Sequence, residues 1–472
     1  MKSTVPPSIA RACVALVALS LAGCASLSPE SGFGAVREAA SARLGKDVAW
    51  TKTASESNAA AKRVAELLKN PLSLDDAVQI ALLNNKGLQA SFGELGISEA
   101  DLVQAGRLPN PRFTLRNAHA GADYTIEKTL TFNVLSLLTM PMAGEMERRK
   151  FAATQRAVTM EILRLASDTA KAWIRAVSAE ENVRYMNTVK DLADSSAELA
   201  RRMEQVGNWN KLNRAREQGF YAEAALNLAK ATRNQVATRE KLTRLMGLWG
   251  ADIQYRLPER LPDLPAAADD LPDVEQTAMS QRLDVQGMRL STEATARNLG
   301  LTKATRFVNA LEFGPTRILE GRKTDPYRKG YEVSLEIPIF GWSGGRVAKA
   351  EAIYMQSVDR LAEAAVNARS EVREAYQGYR ISYDIARHYR DEIVPIKKRI
   401  AEENQLRYNG MIIGVFELLA DARSQVASVN GYIEALRDFW LAKADLDMAM
   451  TGTPNMNPVT SGAIAPDTAS GH

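Results

Sequence analysis

The stretch YEVSLEIPIFGWSGG, residues 331–345, decides how this chain is built. Tyr331, Val333, Leu335, Ile337 and Ile339 alternate with Glu332, Ser334, Glu336 and Pro338. That is the period-two pattern of a strand with one apolar and one polar face. Its surroundings are different: Ala, Leu, Glu and Arg dominate and aromatics make up only 6%, a composition that favours helices. Three further segments alternate in the same way, RFTLRN (112–117), TIEKTLTFNVLS (125–136) and VNALEFG (308–314). In the second of these Ile126, Leu130, Phe132 and Val134 share a face that Lys128 interrupts. The pattern predicts strands over about 111–118, 125–136, 307–314 and 331–340. Four such strands in an open sheet leave two unpaired edges and a bare apolar face. Either helices cover that face, or several chains close the edges into a barrel whose apolar side meets lipid.

The chain is a duplication. SLDDAVQIALLNNKGLQA (73–90) matches LPDVEQTAMSQRLDVQGM (271–288), with Ala81 over Ala278 and Leu88 over Val285. Residues 226–247 match 426–452, and Gly207 corresponds to Gly410, at offsets of about 197 to 204. Each copy is expected to run as a helix of about 35 residues, two strands, a very long helix, a Gly turn and a helix of about 40. Val189, Leu192, Ser196, Leu199, Met203 and Val206 step by three and four, as a coiled-coil seam does. Residues 145–206 make about 90 Å of helix at 1.5 Å per residue. Pro395 is expected to kink the second long helix. Residues 71–254 and 272–452 are thus two repeats joined by a Pro-rich extended linker, 255–271, and 453–472 reads as a disordered tail.

The first 23 residues form a signal peptide, with Lys2 and Arg11 ahead of the short apolar run ACVALVALSLAG (12–23). Leu21-Ala22-Gly23-Cys24 resembles a bacterial lipobox, in which the thiol of Cys24 is acylated, for instance with palmitate. Residues 24–70 then read as an extended, lipidated arm. Removing Lys2 and Arg11 lowers the net charge from +4 to +2, and the 60 bases and 56 acids are interleaved, so no nucleic-acid footprint exists. Cys13 leaves with the signal, so the mature chain has no second cysteine for a disulfide. No later run reaches the length of a membrane-spanning helix.

An enzyme is not expected. Gly341-Trp342-Ser343-Gly344-Gly345 satisfies G-x-S-x-G between a strand and a helix, but a hydrolase strand is buried on both faces and this one alternates. Asp384 and His388 lie four apart on one helix and make no triad with Ser343. His119, His388 and His472 are scattered, and Met140, Met142 and Met146 are better read as packing residues, so no metal or cofactor is expected.

Four segments in this order carry a resemblance: SLDDAVQIALLNN (73–85), RLPNPRF (107–113), SLEIPIFGWSGGR (334–346) and RYNGMIIGVFELLADA (407–422). With the lipobox and the duplication, the mature chain resembles the TolC-type outer-membrane factors, in their lipoprotein branch. The resemblance implies a mainly α fold with a small β part. It implies a homotrimer whose 12-stranded β-barrel, four strands per chain, continues as an α-helical tunnel in the periplasm. It implies an exit duct for a tripartite efflux pump, with a periplasmic adaptor and an inner-membrane pump such as an RND-type transporter as partners, in a Gram-negative outer membrane. A type I secretion duct and a lipid-anchored periplasmic coiled-coil protein without a pore are the alternatives.

By the same resemblance the Gly turns lie at the periplasmic aperture, followed by acidic residues that constrict it. Glu417 stands at the first acid's position, Ala420 at the second's, and Asp421 is displaced by one. Gly410 is one residue early, Met411 occupies the usual Gly site, and Gly414 a small-polar site. In the first copy Asn213 replaces the acid, and Gly207, Asn208, Trp209 and Asn210 form the turn. Gly341, Gly344 and Gly345 mark the corner between barrel and tunnel, with Ser343 as a turn residue.

Overall fold

The computed structural model describes residues 27–340 and 343–454. The signal peptide, Cys24, Gly341 and residues 455–472 of the tail lie outside these. The described chain is mainly helical with one antiparallel sheet of order β1-β2-β3-β4, formed by Arg112–Ala120, Asp123–Asn133, Ala310–Gly321 and Arg328–Glu336. It divides into two compact units, the first comprising residues up to Ala39, Ala90–Thr159 and Leu283–Val366, the second the remainder.

The first unit holds the sheet. Register places Phe113, Leu115, Leu130, Phe132, Leu311, Phe313, Pro315, Tyr331, Val333 and Leu335 on one face. Phe113, Leu115, Phe132, Phe313, Tyr331, Val333 and Leu335 are all exposed there, so among the described residues no helix covers that face. The other face is polar, and Thr129 and Thr316 hydrogen-bond across it at 2.8 Å. Strand β3 runs well past Gly314, where the expected strand stopped. A Cβ on Gly314 would lie 1.7 Å from the Leu130 carbonyl oxygen, so this glycine permits a close approach of β2 and β3 rather than a turn. Conversely β2 ends at Asn133, and residues 134–136 belong to the next helix, whose first turn the Asn133 side chain caps by accepting from Ser136 N–H at 2.8 Å. Pro338 falls outside β4.

Before the sheet come α1 (Phe33–Leu44), α2 (Ala54–Leu67), α3 (Leu74–Asn84) and α4 (Lys86–Ala105). The expected extended arm of residues 24–70 therefore contains two helices. Helix α2 starts in a capping box in which Thr53 and Glu56 satisfy each other's backbone donors. In the first unit Phe33 packs edge-on against Phe92 at 4.9 Å, over buried Val36 and Leu95.

After β2, α5 (Val134–Gln205) runs unbroken for 72 residues, with Pro141 near its start, and α6 is Lys211–Met246. The second repeat supplies α7 (Val274–Gln281), α8 (Leu283–Ala304), α9 (Gly344–His388), α10 (Val394–Asn409) and α11 (Val415–Ala449). The expected 35-residue first helix is broken in both repeats, at Asn85 and at Arg282, each with extended backbone. Each side chain leaves to cap the end of another helix. Asn85 Nδ2 donates to the Leu245 carbonyl at 2.9 Å, and fully buried Arg282 donates to the Ala449 carbonyl at 3.4 Å and to Glu371 at 2.7 Å. Orphan carbonyls at helix ends need such donors. At Pro395 the chain forms a π turn, Tyr389–Ile393, and continues as α10, which absorbs the missing N–H.

The linker is extended but packed. Tyr255, Leu261 and Leu264 are buried, Tyr383 donates to the Ala266 carbonyl at 2.7 Å, and Trp440 Nε1 to that of Pro262 at 3.0 Å. Tyr379, Tyr383 and Phe439 form the aromatic core beneath it.

Candidate functional site

The turns between the long helices are built alike. After α5, Gly207 adopts φ 78° and donates to the Glu204 carbonyl at 2.9 Å, while Asn208 N–H reaches Met203 at 2.8 Å. After α10, Met411 adopts φ 57° and donates to Tyr408 at 2.9 Å, while Ile412 N–H reaches Arg407 at 2.9 Å. Both are Schellman endings, and their left-handed residue is normally glycine. The sequence pairing of Gly207 with Gly410 is therefore corrected to Gly207 with Met411, because Gly410 keeps a negative φ of −80°. Asn210 and Gly414 are then equivalent N-caps. The Asn210 side chain accepts from Asn213 N–H at 2.8 Å, whereas Gly414 offers no side chain.

From this frame Asn213 is equivalent to Glu417, and Glu217 to Asp421. Glu417 is exposed in the first turn of α11, where the helix N-terminus favours negative charge. Asp421 is half-buried and accepts from Asn404 Nδ2 on α10. Asn213 is half-buried; of its positive neighbours, Arg214 pairs with Glu204 at 2.8 Å. Trp209 N–H also bonds to the Met203 carbonyl, at 3.1 Å.

Glu217 is the residue that sequence reading missed. It is fully buried, and its Oε2 accepts from the Ser196 hydroxyl on α5 and from Arg423 Nη2 on α11, both at 2.5 Å. Arg423 also lies over the Phe220 ring at 4.2 Å. One carboxylate thus ties three helices and both repeats together. A signal was present: Glu217 heads the stripe Phe220, Tyr221, Ala224, an acid on the buried side of a helix.

Next to this cluster Tyr185 donates to the Val426 carbonyl at 3.1 Å, and burial pushes its phenol up to about 12. Burial also raises the Glu181 carboxyl above its ordinary value, only partly offset by a backbone hydrogen bond from Leu261.

The predicted seam is only partly internal. Val189 and Ser196 are buried, as are Ala193 between them and Ala200 one turn on, while Leu192, Leu199 and Val206 are exposed. At the strand-to-helix corner Ser343 adopts φ 55°, and Arg346 Nη2 donates to its hydroxyl and to Asn309 Oδ1, both at 2.6 Å. That hydroxyl serves a turn, and His388 faces Glu392 at 3.3 Å. Gly344 and Gly345 open α9.

Among the described residues no helix is long and apolar enough to cross a membrane, and no cluster of His, Cys, Asp and Glu is arranged to hold a metal.

No family model matches the chain. Among curated proteins it is 24% identical, over 296 residues, to the cobalt-zinc-cadmium resistance protein CzcC of Cupriavidus metallidurans. The match covers 59% of this chain and 66% of that protein, just under two thirds. Among solved structures, the CmeC outer membrane channel of Campylobacter jejuni superposes with a TM-score of 0.69 at 17% identity, over 80% of this chain and 85% of that one. The outer-membrane channel OprN superposes with a TM-score of 0.68 at 14% identity, covering 88% and 95%. CusC, whose structures describe folding and transmembrane channel formation, gives 0.67 at 17%, covering 80% and 92%.

Proposed function

We propose that this chain, which has the fold of the TolC-type outer-membrane channels, is the outer-membrane exit duct of a tripartite efflux pump. The observation that carries the reading is the sheet. Its apolar face is exposed along all four strands, and β1 and β4 are unpaired edges. Only a closed barrel satisfies every backbone group in lipid, and four strands close one only with further copies of the chain. A homotrimer supplies 12 strands, and exposed Leu192, Leu199 and Val206 offer apolar surface for helix packing between subunits. The protein is a passive conduit rather than an enzyme, served by a periplasmic adaptor and an inner-membrane pump.

Cys24 carries the lipid anchor, which assists the barrel, since one acyl chain alone binds membranes only marginally. Glu417, Asp421 and Asn213 line the periplasmic aperture, where rings of like charge around a threefold axis focus the field and favour cations. The likeness to CzcC supports metal cations as cargo. The test is purification from outer membranes, gel analysis of heat-resistant trimers and conductance in planar bilayers. Monomeric protein without conductance would refute the duct. Outer-membrane association as strong in a Cys24→Ser variant as in wild type would refute the anchor's role.

A further inference from the structure

Lys128, the interruption in an otherwise apolar alternation, has company. In the sheet it pairs directly with Arg317 of β3, and Arg317 pairs directly with Lys329 of β4. Directly opposed residues share a face, so three cations lie side by side on the apolar face, in a row that β1 completes with Leu115. Like charges directly opposite each other destabilise a sheet.

The two faces treat their cations differently. On the polar face Arg112 pairs with Glu312 at 3.5 Å, Arg116 with Glu127 at 3.4 Å and Arg328 with Glu320 at 3.2 Å. On the apolar face none of Lys128, Arg317 and Lys329 has an ion pair among the described residues, and all three are exposed. Lys128 only lies over the Tyr327 ring, 5.0 Å from its centre.

The position of the row is informative. Within β4 the exposed apolar positions Tyr331, Val333 and Leu335 cover about 13 Å of extended chain, and exposed Ile337 and Ile339 follow beyond the strand's end. Lys329 is the next residue on that face, so the row borders the exposed apolar run on its hairpin side, away from the strand-to-helix corner. Beyond the row Leu319 is buried, so on β3 the apolar surface stops there. His119 stacked on Tyr124 at 5.5 Å, and Tyr327, stand at the hairpin ends, as an interfacial aromatic girdle does.

We propose that Lys128, Arg317 and Lys329 form a binding site for the phosphate groups of a phosphorylated outer-leaflet glycolipid, of the lipid A class. The inference rests on the barrel reading above and adds the lipid to it. A soluble polyanion fits less well, because the row shares its face with the apolar band and a ligand there must satisfy both. Three cations across two strand spacings lie within about 10 Å, a span that one bisphosphorylated headgroup covers. Closure by three chains gives three such rows.

The test uses full-length protein purified in detergent. Native mass spectrometry counts retained bisphosphorylated lipid A, with dephosphorylated lipid A and phosphatidylethanolamine as comparison probes. The triple variant Lys128→Gln, Arg317→Gln, Lys329→Gln is set beside Arg112→Gln, Arg116→Gln on the opposite face. Phosphate-dependent binding that falls about a hundredfold in the triple variant, roughly fivefold per cation, and is unchanged in the double variant supports the site. Binding indifferent to phosphate, or equal in both variants, overturns the lipid site while trimer and conductance persist. Loss of trimer and conductance in wild type overturns the barrel reading and the lipid site together.

Discussion

The tie at Glu217 makes an asymmetric prediction. Removing Arg423 strands a carboxylate that is fully buried, with only the Ser196 hydroxyl left to it. Breaking a buried pair in this direction costs about 3–5 kcal/mol. Removing Glu217 strands a guanidinium whose side chain is 32% exposed. It can turn to water, so the loss is the bond itself, about 2 kcal/mol once solvent screening is allowed for. The bond is also one-sided, since Glu217 Oε1 and Arg423 Nε have no partner, which keeps the second figure at the low end. Amide hydrogen exchange of the full-length protein, followed over the first turns of α6, reads local opening. At 1.4 kcal/mol per decade, Arg423→Ala should speed exchange about a thousandfold and Glu217→Ala about thirtyfold. The double variant Glu217→Met, Arg423→Met should lie nearer wild type than Arg423→Ala, since an apolar pair leaves no buried charge. Equal effects of the two single alanine variants, or a larger one for Glu217→Ala, would refute the reasoning.

Other consequences follow from the same turns and helices. Met411→Gly should stabilise the second turn by about 0.5–1 kcal/mol, because the 93% exposed side chain contributes no packing and its left-handed backbone is strained; slower local exchange checks it. Glu417→Ala should reduce cation selectivity in planar bilayers more than Asp421→Ala, because Glu417 is free in solvent and Asp421 is engaged by Asn404; unchanged selectivity in both removes them from the aperture. Glu181, whose carboxyl is raised by burial, favours the folded state while protonated, so its contribution fades as pH rises from the ordinary carboxyl range through its raised value. Glu181→Gln should therefore raise the melting temperature at pH 8 and leave it nearly unchanged at pH 4, by circular dichroism. The phenol of Tyr185 should titrate near pH 12 by ultraviolet absorbance, and that high-pH component should shrink by one tyrosine in Tyr185→Phe.

The parts legible in the sequence were those written in periodicity. Alternation in 331–339 and 125–133 marked the strands, and the matching of 73–90 with 271–288 marked the repeats. Local chemistry misled where long-range contacts decide. Gly314-Pro315 looks like the end of a strand, yet β3 continues because the glycine lets β2 come close. Asn85 and Arg282 sit within helical patterns, and what breaks the helices is the bare carbonyls near Leu245 and Ala449, residues far away in sequence. Glu217 heads an apolar stripe, which marks its side of the helix, but nothing near it in sequence announces its partner Arg423, 206 residues away.

Duplication makes the two tip turns a controlled comparison. Both use the same backbone ending, so their differences lie in side chains. The first turn has glycine at its left-handed position, Asn210 as a hydrogen-bonding cap, and Glu217 tied to α5 and α11. The second has Met411 in that conformation, Gly414 with no side-chain cap, and Asp421 tied only to its own neighbour α10. Glycine in place of Asn as cap costs a few tenths of a kcal/mol and a left-handed non-glycine about 1–2. The second turn is thus weaker by about 1.5–2.5 kcal/mol in its local contacts alone. The side chains of Met411 and Ile412 at its apex are largely exposed. If the helix ends rearrange, the α10–α11 end therefore yields first, and the Arg423–Glu217 bond is the contact through which α11 would pull on the first repeat.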